Sequence, residues 1–439
     1  MSELNSTEAH APDDSIYWVI SHAPASSVLP ERFPIIVDEL TRVVCEPALL
    51  YLYEKFVKNN SNKIVENTLD ASAEDLKEWF RFCEEFGLPW TFASESDITA
   101  FNKAMRATIS PLTGQRYKTA TINRRKTTIR QFYVWARGNK MYRKAPPADS
   151  LLDPELDFTA VNARIRKPLK VAADENKEVS VIQATQSQKI LKALGPLPSE
   201  RTAQRDFNQN SAPPVTGEII PKPKSSRDRI ATQVSLETGM RISEVCGLPL
   251  KKFARLADPA SDTVDVHIKI IGKGNKSRRV DFPGWLILEI KNYIRCESQE
   301  ILTALNGSNE PQALFINPLS AGTHAGKPLQ VRTLQRAFLN ACRSAGETKV
   351  EKIQKFDSSG VLTVHHVDTP LFNYHDTRHT YAVWTYYTRK KTDPEPWLYI
   401  QARLGHVDLK TTLQRYLKLA SDFEPDISDR YLKLVKPNA

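Results

Sequence analysis

Apolar residues recur at helical spacing along most of this chain, with one clear switch to alternation. The helical period sets in at residue 47, where Pro47 suits a first helical position and Leu50, Tyr53 and Val57 share a face. Ser72, with Asp75 three residues on, reads as a capping box ahead of Leu76, Phe80 and Cys83, and Gly87 reads as the stop. Ser96 reads as the cap of a third helix carrying Ile98, Phe101 and Met105. After Lys118, the segment TATINRRKTTIRQFYVWARG sets Ile122, Ile129, Tyr133 and Ala136 on one face, while Arg124, Arg125, Arg130 and Arg137 project elsewhere. Residues 47–145 thus read as a four-helix domain with an arginine-rich outer side.

The Pro-punctuated stretch 146–180 reads as a linker, with Arg164, Arg166, Lys167 and Lys170 available to phosphates. A second irregular stretch, 195–228, is too long for an ordinary connection and reads as a mobile surface insertion. A helix over 229–237 then stops at Thr238-Gly239, and another begins near Arg241. Over 263–282 the period changes: Val264, Val266, Ile268 and Ile270 alternate, Gly272 to Gly274 turn, and Arg278 to Phe282 return. This predicts a β-hairpin with Lys273 and Lys276 at its tip. Helices are predicted over 330–345, 375–389, 395–404 and 410–420, with a poorly patterned insertion at 347–371.

Composition narrows the class. The 439 residues, 41% hydrophobic and 26% charged, suit a globular protein of two or three domains. No run approaches the ~20 apolar residues that span a bilayer, and the first residues lack a secretion signal, so a cytoplasmic site is expected. Five scattered cysteines without a CxxC pair fit reduced thiols rather than disulfides or a zinc site. The net charge of +10 is unevenly spread. Residues 1–46, an acidic extension, hold eight acids and two bases, whereas 101–170 hold sixteen bases and four acids. A concentrated cationic surface of this kind suits nucleic acid.

Four segments carry candidate chemistry: TGMRISEVCGL (238–248), IGKGNKSRRV (271–280), YHDTRHTYAV (374–383) and ARLGHVDLKTTLQRYLKL (402–419). GKGNKS lacks the Gly that a phosphate-binding loop places directly before its Lys-Ser, since Asn275 stands there. HDTRH is one step from a zinc-binding HExxH, but Asp replaces the base and Arg378 would set a cation beside the ion. No metal is therefore expected. Taken together, two arginines, two histidines, a lysine and a tyrosine suit metal-free phosphodiester chemistry. Arg241 and Arg378 can clamp the non-bridging oxygens, and His375, one helical turn before Arg378, can donate to them. His406, after Gly405, adds a donor, and Lys273 can protonate a departing sugar oxygen. Tyr416, with an ordinary pKa near ~10, needs such a cationic pocket to act as a nucleophile.

The ordered set resembles the tyrosine recombinases, or phage integrase family. Thr238, Gly239, Arg241, Ser243 and Glu244 match its TG-x-R-x-SE segment, GKGNK assigns the catalytic lysine to Lys273, and His375 with Arg378 match H-x-x-R. LGH supplies His406, and the nucleophile falls on Tyr416, ten residues further on. The resemblance covers about 47–436 and implies a supporting role for Glu244. It implies a fold that is mainly α with a small β-sheet. A C-shaped two-domain clamp would close on DNA, with a helical core-binding domain (47–145) and a mixed α/β catalytic domain (181–439). Arg124, Arg125, Lys126, Arg130 and Lys276 are the expected DNA contacts.

The resemblance further implies cleavage and rejoining of duplex recombination sites through a 3′-phosphotyrosyl link, without ATP, cofactor or divalent metal. Integration, excision or transposition of a mobile element is the expected setting, in a prokaryotic cell and associated with its nucleoid. Four copies are expected on two DNA sites, with partner recombinases or a directionality factor as further candidates. Pro425 to Lys436 would dock on a neighbouring copy. Two rival readings share these residues: a type IB topoisomerase or telomere resolvase, and a catalytically silent DNA-binding regulator.

Overall fold

The computed structural model describes residues 18–24, 28–58, 66–110, 113, 115–142, 180–203, 224–272, 277–305, 311–356 and 362–405. The chain divides into two compact units, Met1–Lys177 with Ile353–His365, and Glu178–Lys352 with His366–Ala439. Among the described residues both are mainly helical, and three two-stranded sheets accompany the helices.

The first unit opens with an antiparallel pair, β1 (Trp18–His22) and β2 (Pro34–Asp38), ahead of the predicted helical start. Trp18, Phe33 and Ile36 from this hairpin join the helical core, so packing begins well before residue 47. Helix α1 (Glu46–Tyr53) starts one residue before the expected proline, and its buried positions are Ala48, Tyr51 and Leu52, while Leu50 is exposed. The predicted stripe through Leu50 is thus one position out of register, because β2 and α2 cover the other side.

Helix α2 (Glu66–Glu85) begins before Ser72, which therefore caps nothing: its hydroxyl donates to the Thr68 carbonyl inside the helix. Asp75 is instead a buried acceptor for the next layer. The stop at Gly87 holds, with φ +56°. Helix α3 (Glu95–Ala107) is capped by Ser94 rather than Ser96: the Asp97 carboxylate accepts from the Ser94 amide at 2.7 Å and its hydroxyl at 2.6 Å. Helix α4 (Thr119–Gly138) buries Ile122, Ile129, Tyr133 and Ala136 as its periodicity predicts. Its Tyr133 accepts from the Trp79 indole at 3.1 Å and donates to the Trp90 carbonyl at 2.8 Å, satisfying the largest buried side chain.

The second unit is built on α6 (Arg227–Thr238), buried on nearly every face from Ile230 to Leu236. A helix apolar or internally paired all round belongs at a centre, and α5 (Ala184–Leu194) packs on it. Two short helices follow, α7 (Ile242–Cys246) and α8 (Leu250–Ala254). The predicted hairpin is present as β3 (Asp265–Ile271) paired antiparallel with β4 (Ser277–Pro283), Ile268 facing Val280. Helices α9 (Gly284–Tyr293), α10 (Gln299–Ala304) and α11 (Val331–Ser344) follow, with α9 and α11 packed on α6. The stretch expected to be unpatterned at 347–371 forms a sheet, β5 (Thr348–Phe356) with β6 (Leu362–Pro370). Every described β6 side chain is at least partly exposed, which is why no apolar alternation announced it. Helices α12 (His375–Arg389) and α13 (Pro396–Leu404) then pack on each other, with α12 also against α6. No helix among the described residues is long and apolar enough to cross a membrane.

Candidate active site

Helix α6 ends at Gly239, whose φ of +65° turns the chain sharply so that Arg241 becomes the residue capping α7. Space allows only glycine there, since a Cβ would lie 2.4 Å from Tyr381 Cδ1 and 2.8 Å from Leu404 Cδ2. The Glu244 carboxylate accepts from the Arg241 amide at 2.8 Å and from its guanidinium at 3.2 Å. These bonds hold the turn while the Arg241 side chain keeps 28% of its exposure.

Arg378 arrives from α12 and is buried. Its guanidinium donates to the Gly239 carbonyl at 2.6 Å and the Leu404 carbonyl at 2.5 Å, tying together the ends of α6 and α13. His375 opens α12 and stays exposed, its ring edge-on to that of His379 at 4.6 Å. Asn373 shapes this start: its side-chain carbonyl accepts from the His375 amide at 2.9 Å, and Asp376 accepts from the Asn373 amide at 2.8 Å. A cleft of about 320 Å³ has Arg241, His375 and Arg378 in its lining, together with Gln335, Asn373 and Tyr374. Two guanidinium groups and an imidazole around one small cleft are chemistry that favours an anion over a cation.

The remaining chemical candidates, Lys273, His406 and Tyr416, lie outside the described residues, as does Lys276. Their flanks are described. Ile271 and Ser277 are the last paired residues around the hairpin tip, and Gly405, φ +66°, closes α13 immediately before His406.

Sequence reasoning missed two residues in β4. Arg278 forms a fork on Glu244, at 2.8 and 2.6 Å, and donates from Nε to the Arg403 carbonyl at 2.7 Å. Its place two residues before the buried Val280, on the same face of the strand, was the available signal. Asp281 accepts from Tyr399 and from Arg403 Nε, both at 2.6 Å, and is hydrogen-bonded to His267 Nδ1. Burial pushes the Glu244 carboxyl up, but the Arg278 hydrogen bonds and charge, then the Arg241 amide and charge, hold it below its usual range. Asp281 is likewise raised by burial and lowered further by Tyr399, His267 and Arg403, ending below its usual range.

The expected arginine-rich outer side of α4 is corrected in part. Arg125 is buried, its guanidinium 4.3 Å over the Tyr117 ring and 3.7 Å from Asp75. Arg130 forms an ion pair with Glu95 and is only 11% exposed. Arg124 remains 43% exposed while donating to Asp75 at 2.9 Å and the Ala71 carbonyl at 2.7 Å, and Lys126 is half-buried. The carboxylates of Asp75 and Glu95 drew these arginines inward, an effect helical periodicity cannot register.

Comparison with known proteins fits this geometry. The phage integrase family model matches residues 207–422, and the model of the phage integrase N-terminal SAM-like domain matches residues 53–140. The chain belongs to the phage integrase family. Among curated relatives, the tyrosine recombinase XerC of Halalkalibacterium halodurans is 25% identical over 377 residues, covering 86% of this chain and 93% of the relative. XerC of Lactobacillus leichmannii is 28% identical over 193 residues, which is 44% of this chain. The chain spans about half the length (50%) of that relative. A crystal structure of the XerH site-specific recombinase bound to difH substrate, in a pre-cleavage complex, matches with TM-score 0.50 and 15% identity. It covers 86% of this chain and 93% of that one. The integrase fold is thereby shared, mainly helical with small antiparallel sheets.

Proposed function

We propose that this chain is a site-specific recombinase that breaks and rejoins duplex DNA through a tyrosine. The observation that carries the reading is the cleft where Arg241, His375 and Arg378 converge in the order and spacing of the family. In this reading Tyr416 attacks a scissile phosphate as its phenolic proton passes to solvent water. The P–O bond to the 5′-oxygen breaks, Lys273 supplies that oxygen's proton, and a 3′-phosphotyrosyl bond forms. The partner strand's 5′-hydroxyl reverses the step, so the bond energy is conserved and neither ATP nor a divalent metal enters. Arg241, Arg378, His375 and His406 hold the charge that develops on phosphorus oxygens, where losing one donor costs ~10²–10³ in rate. Glu244 keeps Arg241 at its turn.

Arg124, Lys126 and Lys276 are the contacts we assign to the DNA backbone, with a homotetramer on two recombination sites, Pro425 to Lys436 docking between copies, and a cytoplasmic place of action. The relatives are named tyrosine recombinases, which favours a DNA recombination site as substrate. A mobile-element role, integration, excision or transposition, remains within the same chemistry.

The test is covalent trapping with EDTA present. Wild type and Tyr416→Phe are incubated with nicked duplexes drawn from the ends of the encoding locus, then resolved under denaturing conditions. A 3′-phosphate adduct in wild type alone is expected. Tight binding without an adduct favours a silent regulator, relaxation of supercoils without a paired site favours a topoisomerase, and an adduct surviving in Tyr416→Phe assigns another nucleophile.

A further inference from the structure

Glu244 is 6% exposed and stands three residues from Arg241, within reach of its guanidinium. A buried carboxylate so placed ordinarily draws such an arginine into a two-point fork, and a guanidinium forked onto a carboxylate has no paired donors left for a phosphate. That does not happen here. Arg278, itself 9% exposed, occupies both Glu244 oxygens at 2.8 and 2.6 Å, and Arg241 retains one guanidinium contact at 3.2 Å. The third Arg278 donor is spent on the Arg403 carbonyl, and its Cδ lies where a Cβ on Gly405 would come within 2.9 Å. One side chain, carried on the hairpin that bears Lys273, thereby touches the partner of the first arginine and the turn that precedes His406.

We infer that Arg278 is a positioning residue that saturates Glu244 and so keeps the Arg241 guanidinium available to an anion in the cleft. Its role deepens the recombinase reading and rests on it for the identity of that anion, the scissile phosphate. Removal of Arg278 leaves Glu244 a buried carboxylate with Arg241 as its nearest cation, and Arg241 turns from the cleft to pair with it.

The test uses the full chain as wild type, Arg278→Met, Arg278→Lys and the double variant Arg278→Met with Glu244→Gln. Single-turnover adduct formation is measured at saturating protein on nicked duplexes carrying a normal phosphate or a neutral methylphosphonate at the cut, with DNA affinity measured separately. Loss of one phosphate donor predicts a drop of ~100-fold for Arg278→Met on the normal phosphate. Arg278→Lys, which keeps the charge without the fork, falls by about tenfold. The double variant recovers at least about tenfold, since an amide does not capture Arg241. On the methylphosphonate, which needs less charge neutralised, the wild-type advantage shrinks to within about fivefold.

A deficit that is the same on both linkages and unrelieved in the double variant would mean a purely structural role and overturn the inference, as would near-wild-type cleavage by Arg278→Met. If Arg278→Met fails to fold, Arg278→Lys carries the same comparison. Inorganic phosphate, titrated against the side-chain NMR signal of Arg241, decides the matter without catalysis. Arg278→Met or Arg278→Lys is expected to weaken this binding by about tenfold, and unchanged binding overturns the inference. Should wild type form no adduct at all, the recombinase reading fails while the phosphate titration still judges Arg278.

Discussion

Replacing Gly239 by alanine tests how closely the clamp is packed. The residue sits at φ +65°, where a non-glycine residue costs about 1–2 kcal/mol. Its new methyl would also meet Tyr381 Cδ1 at 2.4 Å and Leu404 Cδ2 at 2.8 Å. Both neighbours are buried, so they relieve the overlap only by shifting α12 or α13, at about 1–3 kcal/mol more. Gly87→Ala supplies the control, because Gly87 has φ +56° and nothing within 4 Å of its would-be Cβ. It bears the backbone cost alone.

Urea unfolding followed by hydrogen exchange, resolved to each unit, should show the second unit weakened by about 2–5 kcal/mol in Gly239→Ala. At a slope of about 1–3 kcal/mol per molar, that moves the midpoint by roughly 1 M or more. Gly87→Ala should shift the first unit by about 1–2 kcal/mol and leave adduct formation unchanged. Because the Gly239 carbonyl anchors Arg378, a displacement approaching an ångström should also slow cleavage by ~100-fold. Equal losses in the two variants would refute the close-packing account of this turn.

Arg241 and Arg378 should separate activity from stability. Arg378→Ala leaves two buried carbonyls without a donor and is expected to destabilise the second unit by about 2–4 kcal/mol. Arg241→Ala is expected to slow cleavage by ~10²–10³-fold while staying within about 0.5 kcal/mol of wild-type stability, as adduct trapping and calorimetry on both variants would show. Burial pushes the Asp75 carboxyl up to about 6 against the pull of Arg124, Thr128 and Arg125. Its folded value lies above the unfolded value near ~3.9, so the first unit should lose stability as pH rises from about 4 through 6, a slope absent in Asp75→Asn. The second unit should respond in the opposite sense. Glu244 and Asp281 are held below their ordinary values, so their contribution is present above about 4 and fades as the medium becomes more acid. Asp97→Ala removes the acceptor for both Ser94 bonds and should weaken α3 by about 1 kcal/mol in thermal unfolding.

Much of the second unit was legible because its signals are local. The stop at Gly239, the alternation of Ile268 with Ile270 and the helical run from His375 each need only a few neighbouring residues. Those segments also carry Arg241, His375 and Arg378, so the cleft could be anticipated from them. What escaped was decided between segments. Asp75 reads as a cap until α4 is seen to bring Thr128 and two arginines to it. Ser94 and Ser96 compete for one cap within two residues, and geometry selects the former. The exposed β6 has no buried face to impose a pattern, and β1 with β2 lies among acids that suggested an extension. Arg278 and Arg279 look alike in the chain, yet strand pairing turns one inward and leaves the other 54% exposed.

The anchoring of Arg378 has a consequence for how such a protein diverges. Two of its hydrogen bonds end on main-chain oxygens, those of Gly239 and Leu404. Every amino acid carries a carbonyl, so mutation at Leu404 can alter volume and chemistry without deleting the acceptor itself. Selection then acts on the course of the backbone, and the surrounding alphabet is left free to wander. At 25% identity to a relative aligned over 377 residues, most of the text has already been rewritten. A guanidinium moored to the peptide backbone is one way for a reaction centre to outlast that rewriting.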